Sequence, residues 1–252
     1  MINYEIVEIF HLLFLRHFAP TVSPGTICLK GGVNLRLYHN SPRLSEDMDF
    51  DARVVGTDIL GKNVQKVLSG RPLQTELASM GIRLVGSRAA KQTSTVQRWK
   101  CQLVVQDLSV ATRLEFSRRG EAEFEGCAVE PPSASLLANR KVVPFVFNHF
   151  TAAAAYFQKV QALAGRTQVQ ARDVFDLHHL SGFAGAVRGL AGGLAAQASG
   201  QLGLIPFARF AEQVIPFLPP DLAAYHGTPA AWQAMVGRVR ADLAGAVKRG
   251  GA

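Results

Sequence analysis

The stretch from Lys30 to Asp51 reads K-G-G-V-N-L-R-L-Y-H-N-S-P-R-L-S-E-D-M-D-F-D. It opens on two adjacent glycines, Gly31 and Gly32, and closes on two carboxylates one residue apart, Asp47 and Asp49. Ahead of it lies T-I-C-L, a short apolar run of strand formers. A glycine pair after a strand lets the backbone approach a ligand, because no Cβ stands in the way. A helix that starts there aims free N–H groups at an anion. Val33, Leu35, Leu37 and Tyr38 are compatible with such a helix. Residues two apart on a strand share a face, so Asp47 and Asp49 point one way while Met48 and Phe50 point into a core. Two carboxylates on one face repel unless a cation lies between them. Mg²⁺ suits that place, since it takes oxygen ligands and shares them with substrate phosphates. The order of strand, glycines and acidic pair therefore predicts a triphosphate-and-metal site.

Outward from this stretch, residues 4–18 carry Ile6, Phe10, Leu13 and Phe14 at helical spacing, and Pro20 and Pro24 end the pattern. Strands are expected at 27–29 and 48–52, and a helix over 58–69 with Ile59, Val64, Val67 and Leu68 as its apolar face. A strand-rich region follows at 82–85, 95–105 and 110–117. In the last of these, Leu114 and Phe116 share one face, and Arg113, Glu115 and Ser117 the other. Pro131-Pro132 predicts a boundary, and an alanine-rich helix runs from Ala152 to Ala164. Lys159 and Arg166 are seven apart, two helical turns, on one face. Arg172, Asp173 and Asp176 open another helix, with Val174, Leu177 and Leu180 on its apolar side. Acidic residues suit a first helical turn, so Asp173 also has a purely structural reading. Trp232, Met235 and Val239 form one stripe, read as core.

The motifs K-G-G-x-x-L and R-x-S-x-D-x-D-F, carried by Lys30, Gly31, Gly32, Leu35, Arg43, Ser45, Asp47, Asp49 and Phe50, resemble the AbiEii/AbiGii toxin family of nucleotidyltransferases, within the DNA polymerase β-like superfamily. The downstream block K-x-x-A-L-x-x-R, then R-D-x-x-D-L-x-x-L, is similar to the same family. The resemblance covers roughly residues 5–180. It implies an α+β fold: a mixed sheet with flanking helices over 1–132, then a helical domain over 133–252 that completes the active site. It implies catalytic roles for Asp47, Asp49, Lys159 and Asp173. Nucleotide binding would fall to Lys30, Gly31, Gly32, Arg43, Ser45, Lys159 and Arg166, with Arg172 and Asp176 in support. Metal would sit on Asp47 and Asp49, with Glu115 a third candidate ligand; two Mg²⁺ ions are compatible with the set. The implied reaction moves NMP from an NTP to an RNA acceptor such as tRNA, as the toxin of a toxin–antitoxin or phage-defence system with a cognate antitoxin. A small-molecule acceptor such as an antibiotic, or a non-enzymatic nucleic-acid-binding protein, are the alternatives.

At 252 residues the chain is long enough for one large or two small domains. Hydrophobic residues make up 48% and charged ones 18%, the balance of an ordered globular protein. Lys and Arg number 27 against 19 Asp and Glu, a net charge of +8 that favours a polyanionic partner. Arg36, Arg118, Arg119, Arg140, Lys141 and Arg172 are candidate contacts to it. The 3 cysteines are scattered and odd in number, which predicts free thiols in a reducing cytoplasm and no zinc site. The first residues lack the basic segment of a signal peptide. The apolar run from Ile9 to Phe14 is too short to span a bilayer, so no membrane partner is expected.

Overall fold

A computed structural model describes residues 3–53, 55–118, 125–183, 185 and 189–249. By its contacts the chain forms two units. One comprises Met1–Asn40 and Leu44–Phe150; the other comprises Ser41–Arg43 and Thr151–Ala252.

The first unit begins with α1 (Asn3–Phe18). Its buried side chains run nearly all round, from Ile6 to Phe18, so both a sheet and neighbouring helices can cover it. Then come β1 (Ile27–Lys30), α2 (Gly31–Tyr38), β2 (Asp47–Ala52), α3 (Thr57–Leu68) and α4 (Arg71–Ser79). The strands β3 (Arg83–Gln92), β4 (Val96–Val105) and β5 (Leu108–Arg118) form a meander. β6 (Cys127–Glu130), α5 (Ala134–Arg140) and β7 (Phe147–Phe150) complete the unit. The described strands make one seven-stranded sheet in the order β3-β4-β5-β2-β1-β7-β6. It is mixed: β2 runs parallel to β5 and β1 parallel to β7, while the other pairs are antiparallel.

The two faces differ because the strands alternate. Met48, Phe50, Leu114, Phe116 and Trp99 are buried on one side. There Phe50 stacks on Phe116 at 4.4 Å between ring centroids, and Phe18 of α1 meets both rings. Phe10, Phe14 and Phe18, spaced four apart, line one stripe of α1. The expected core role of Met48 and Phe50 is thus met, and it fixes the neighbouring aspartates on the opposite face.

Two expectations change. The boundary expected after residue 132 lies after Phe150 instead, because β7 pairs with both β1 and β6 inside the sheet. Pro131-Pro132 marks only the entry to α5. The expected free thiols are also overturned: Cys28 and Cys127 form a disulfide. Their separation of 99 residues conceals that β1 and β6 flank the same short strand. Cys101 is free and buried, and burial pushes its thiol up to about 12.

The second unit is helical: α6 (Ala152–Gly165), α7 (Ala171–Leu180), α8 (Gly192–Leu202), α9 (Phe207–Gln213), α10 (Pro220–His226) and α11 (Pro229–Arg249). Thr151 caps α6 by accepting from the Ala154 N–H. Trp232 is fully buried, stacks on Phe210 at 4.6 Å and donates its indole N–H to the Ile205 carbonyl. Met235 and Val239 are buried with it, so the stripe read as core is core. No helix among the described residues is long and apolar enough to cross a membrane.

Candidate active site

The polar face of the sheet begins at a sharp strand-to-helix junction. Lys30 is extended, and Gly31 takes φ +71°, a left-handed conformation that glycine adopts without strain. A Cβ at position 31 would lie 3.0 Å from Oδ2 of Asp49. Gly31, at the start of α2, therefore stands directly against an acidic side chain. Strand register explains the closeness, since Lys30 is the partner of Asp49 across β1 and β2.

The same register sets the charges around the acidic pair. Asp47 lies opposite Arg113, and Asp49 opposite Glu115. Arg113 Nη2 donates to Asp47 Oδ2 at 2.5 Å. Glu115 is held by Arg98 at 2.6 Å, with Arg113 Nε 4.0 Å away. Lys30 pairs with Asp51, the next residue on the face after Asp49. On this strip Asp47 pairs with Arg113, Asp51 with Lys30 and Glu115 with Arg98. Ser45 Oγ donates to the Asp47 carbonyl at 3.2 Å and so shapes the entry to β2. Behind it, the Thr112 hydroxyl donates to the Glu46 carbonyl at 2.6 Å and lies 2.9 Å from His11 Nε2. Burial pushes the His11 imidazole down to about 3, so it stays neutral and serves as a fixed strut.

These donors suit a hard cation: the side chains are carboxylates, and the left-handed glycine keeps the space beside Asp49 clear. The described residues hold no group of three His, Cys, Asp or Glu placed to share one metal. Glu115 is brought beside Asp49 in register, but its carboxylate is engaged by Arg98. Asp47 and Asp49 are the candidate pair, and Asp47 is bound by Arg113 as Glu115 is by Arg98.

The second unit gathers the other expected residues. Lys159 on α6 reaches Asp173 at 3.0 Å and Asp176 at 2.7 Å, both on α7. Arg166 meets Asp173 at 2.8 Å. Arg43 grips Asp176 with a fork, Nε to Oδ1 at 3.1 Å and Nη2 to Oδ2 at 3.0 Å. Asp173 and Asp176 are fully buried, and the side chains of Lys159 and Arg43 are 13% and 6% exposed. Three cations against two carboxylates leave the cluster with one positive charge. Burial alone would raise the Asp176 carboxyl, but Arg43 and then Lys159 hold it down at about 2. Burial would likewise lower Lys159, yet Asp176 and then Asp173 keep it raised and charged. Asp173 is therefore more than a helix-start residue, since its side chain is spent on Lys159 and Arg166. Arg43 is buried against Asp176, a placement that suits holding the cluster together. Arg172 is exposed on α7.

Sequence patterning did not find Asp51, Arg98 and Arg113 as neighbours of the pair. The continuing alternation D-M-D-F-D carries a signal for Asp51, but the arginines depend on pairing between distant strands. Of the basic residues expected to meet a polyanion, Arg36 and Arg140 both pair with Glu8, and Arg140 also with Glu5. Arg118 donates to Gln97. Arg119 lies outside the described residues.

The first unit is a seven-stranded mixed sheet with a glycine turn against an aspartate, and the second is helical. The family model for the nucleotidyl transferase AbiEii toxin of Type IV toxin–antitoxin systems matches residues 13–244, and the chain belongs to that family. Two solved structures from Helicobacter pylori share the fold. JHP933 superposes with a TM-score of 0.56 at 19% identity, covering 92% of this chain and 91% of its own. A second H. pylori protein, provisionally assigned as a nucleotidyltransferase, also gives 0.56 at 19% identity, covering 92% and 94%. A search among curated proteins returned no match.

Proposed function

We propose that this nucleotidyltransferase transfers NMP from an NTP to an RNA acceptor, tRNA among the candidates, and acts as the toxin of a pair with a cognate antitoxin. The observation that carries the reading is the Gly31 turn opened against Asp49. It keeps the start of a helix clear of any side chain beside a carboxylate, a place where a triphosphate and its cation would fit.

In this reading Asp47 and Asp49 hold Mg²⁺, which when bound neutralises phosphate charge and lowers the pKa of the attacking hydroxyl. The backbone of Gly31 and Gly32 accepts the terminal phosphates, and Ser45 keeps the strand entry in place. Lys30 and Arg113 hold Asp51 and Asp47 in position. The family resemblance gives Lys159 and Arg166 a phosphate-binding role, and within the second unit Asp173 and Asp176 hold them in place. The acceptor oxygen bonds to the α-phosphorus, the bond from that phosphorus to the bridging oxygen breaks, and pyrophosphate leaves. The hydroxyl proton passes to solvent as the oxygen bonds to phosphorus. The net charge of +8 agrees with an RNA acceptor and not with a cationic antibiotic.

The test incubates the protein with each α-labelled NTP, Mg²⁺ and total RNA. Label in one RNA size class with pyrophosphate released is expected. Label confined to small molecules would contradict the RNA acceptor.

A further inference from the structure

Beside Asp47, the first unit holds an open groove of about 570 Å³ over β3, β4 and β5. Its charge follows from sheet register. Arg88 lies opposite Lys100, Lys100 opposite Arg113, and Arg113 opposite Asp47. The four residues form one row across four strands, and all four line the groove. Adjacent strands lie about 4.8 Å apart, so the row spans roughly 14 Å. The groove is graded: Glu46 and Asp47 stand at one end, and the cations extend away from them. Arg88 and Lys100 are exposed, and neither forms an ion pair among the described residues. They are unlike Arg36 and Arg140, whose charge is taken up by Glu8.

We propose that this row is the acceptor tract: a single strand of RNA lies along it, its phosphates on Lys100 and Arg88 and its terminal hydroxyl toward Asp47. The inference rests on the RNA-acceptor reading above and adds where that acceptor binds. Charge complementarity selects the occupant. A strand that ends in a reacting hydroxyl needs cations along its backbone and carboxylates with their metal only at its end, which is the gradient observed. Gln102, two residues along β4 from Lys100, adds a hydrogen-bonding group on the same face. Among the described residues no aromatic ring lines the groove, so bases find no stacking platform there, and contact to phosphate predicts tolerance of sequence.

The test measures anisotropy of a short fluorescein-labelled single-stranded RNA of mixed sequence across a salt series. It compares the wild type, Arg88→Gln with Lys100→Gln, and Lys66→Gln. Both groove residues are exposed, so the double variant should keep the wild-type melting temperature and its affinity for a non-hydrolysable NTP. The slope of log affinity against log salt should fall by about 0.7 for each cation removed, about 1.4 in all. Lys66→Gln, an exposed cation on α3 outside the groove, should bind RNA with the wild-type slope. An unchanged slope in the double variant overturns the tract, and so does a wild type that binds no RNA at low salt. Failure of the acceptor reading looks different: RNA would bind with the expected slopes, yet take up no label from any NTP.

Discussion

Gly31 combines a left-handed backbone with a Cβ position that faces Asp49 at 3.0 Å. Gly31→Ala should therefore cost about 1–2 kcal/mol of stability from the strained conformation. It should cost far more in kcat/KM, because the methyl group enters the space kept clear beside the carboxylate. Denaturant titration and steady-state kinetics separate the two effects; equal activity of the variant would contradict the placement of the phosphates. Asp176 makes a second prediction. Its folded pKa of about 2 lies below its ordinary 3.8, so its stabilisation is complete above the ordinary value and is lost as pH falls toward 2. The loss is on the order of 2 kcal/mol. Asp176→Asn should be destabilised at neutral pH by about 3 kcal/mol or more, since it leaves Arg43 and Lys159 short of a buried partner. Its melting temperature should then fall less between pH 4 and pH 2 than that of the wild type; parallel curves would contradict the role given to Asp176.

At the scale of elements, the core explains why the acidic strand is held so firmly. Phe18 is fully buried where α1 meets Phe50 and Phe116, directly behind Asp49. Phe18→Ala should destabilise the protein by about 3–5 kcal/mol, read by chemical denaturation. A cost below about 1 kcal/mol would mean that α1 does not cover this face. The elements legible in the sequence are those whose pattern is local. D-M-D-F-D shows the alternation of a half-buried strand, and the stripe from Ile6 to Phe14 shows a helix. F-N-H-F of β7 was not legible. All four of its residues are buried, and its polar ones are satisfied by groups far along the chain: Asn148 donates to the Ile27 carbonyl, and His149 meets Asn34. α4 was missed as well, since only Leu73 and Leu77 of its nine residues are buried. The candidate residues are read from motifs, Gly31, Asp47 and Asp49 in the first unit and Lys159 and Asp173 in the second. Their partners Arg98 and Arg113 were not, because they follow from the parallel pairing of β2 with β5 and from β4 beside it, which no local pattern encodes. The disulfide was hidden for the same reason.

For the whole molecule, the excess of basic residues is not a uniform coat. Part of it is consumed in ion pairs that hold the fold, as at Arg36 and Arg140. Another part, Arg88 and Lys100, lies open in line with Asp47. The central claim is that Asp47 and Asp49 carry metal-dependent nucleotidyl transfer. The most direct measurement is transfer of an α-labelled nucleotide to acceptor by wild type and Asp49→Asn across an Mg²⁺ titration, with circular dichroism of both. The account predicts transfer by the wild type that rises with Mg²⁺ and vanishes on chelation. It predicts at least a thousandfold loss in the variant, about 4 kcal/mol of transition-state stabilisation, with the fold unchanged. Equal transfer by Asp49→Asn, or wild-type transfer that persists after chelation, would contradict it.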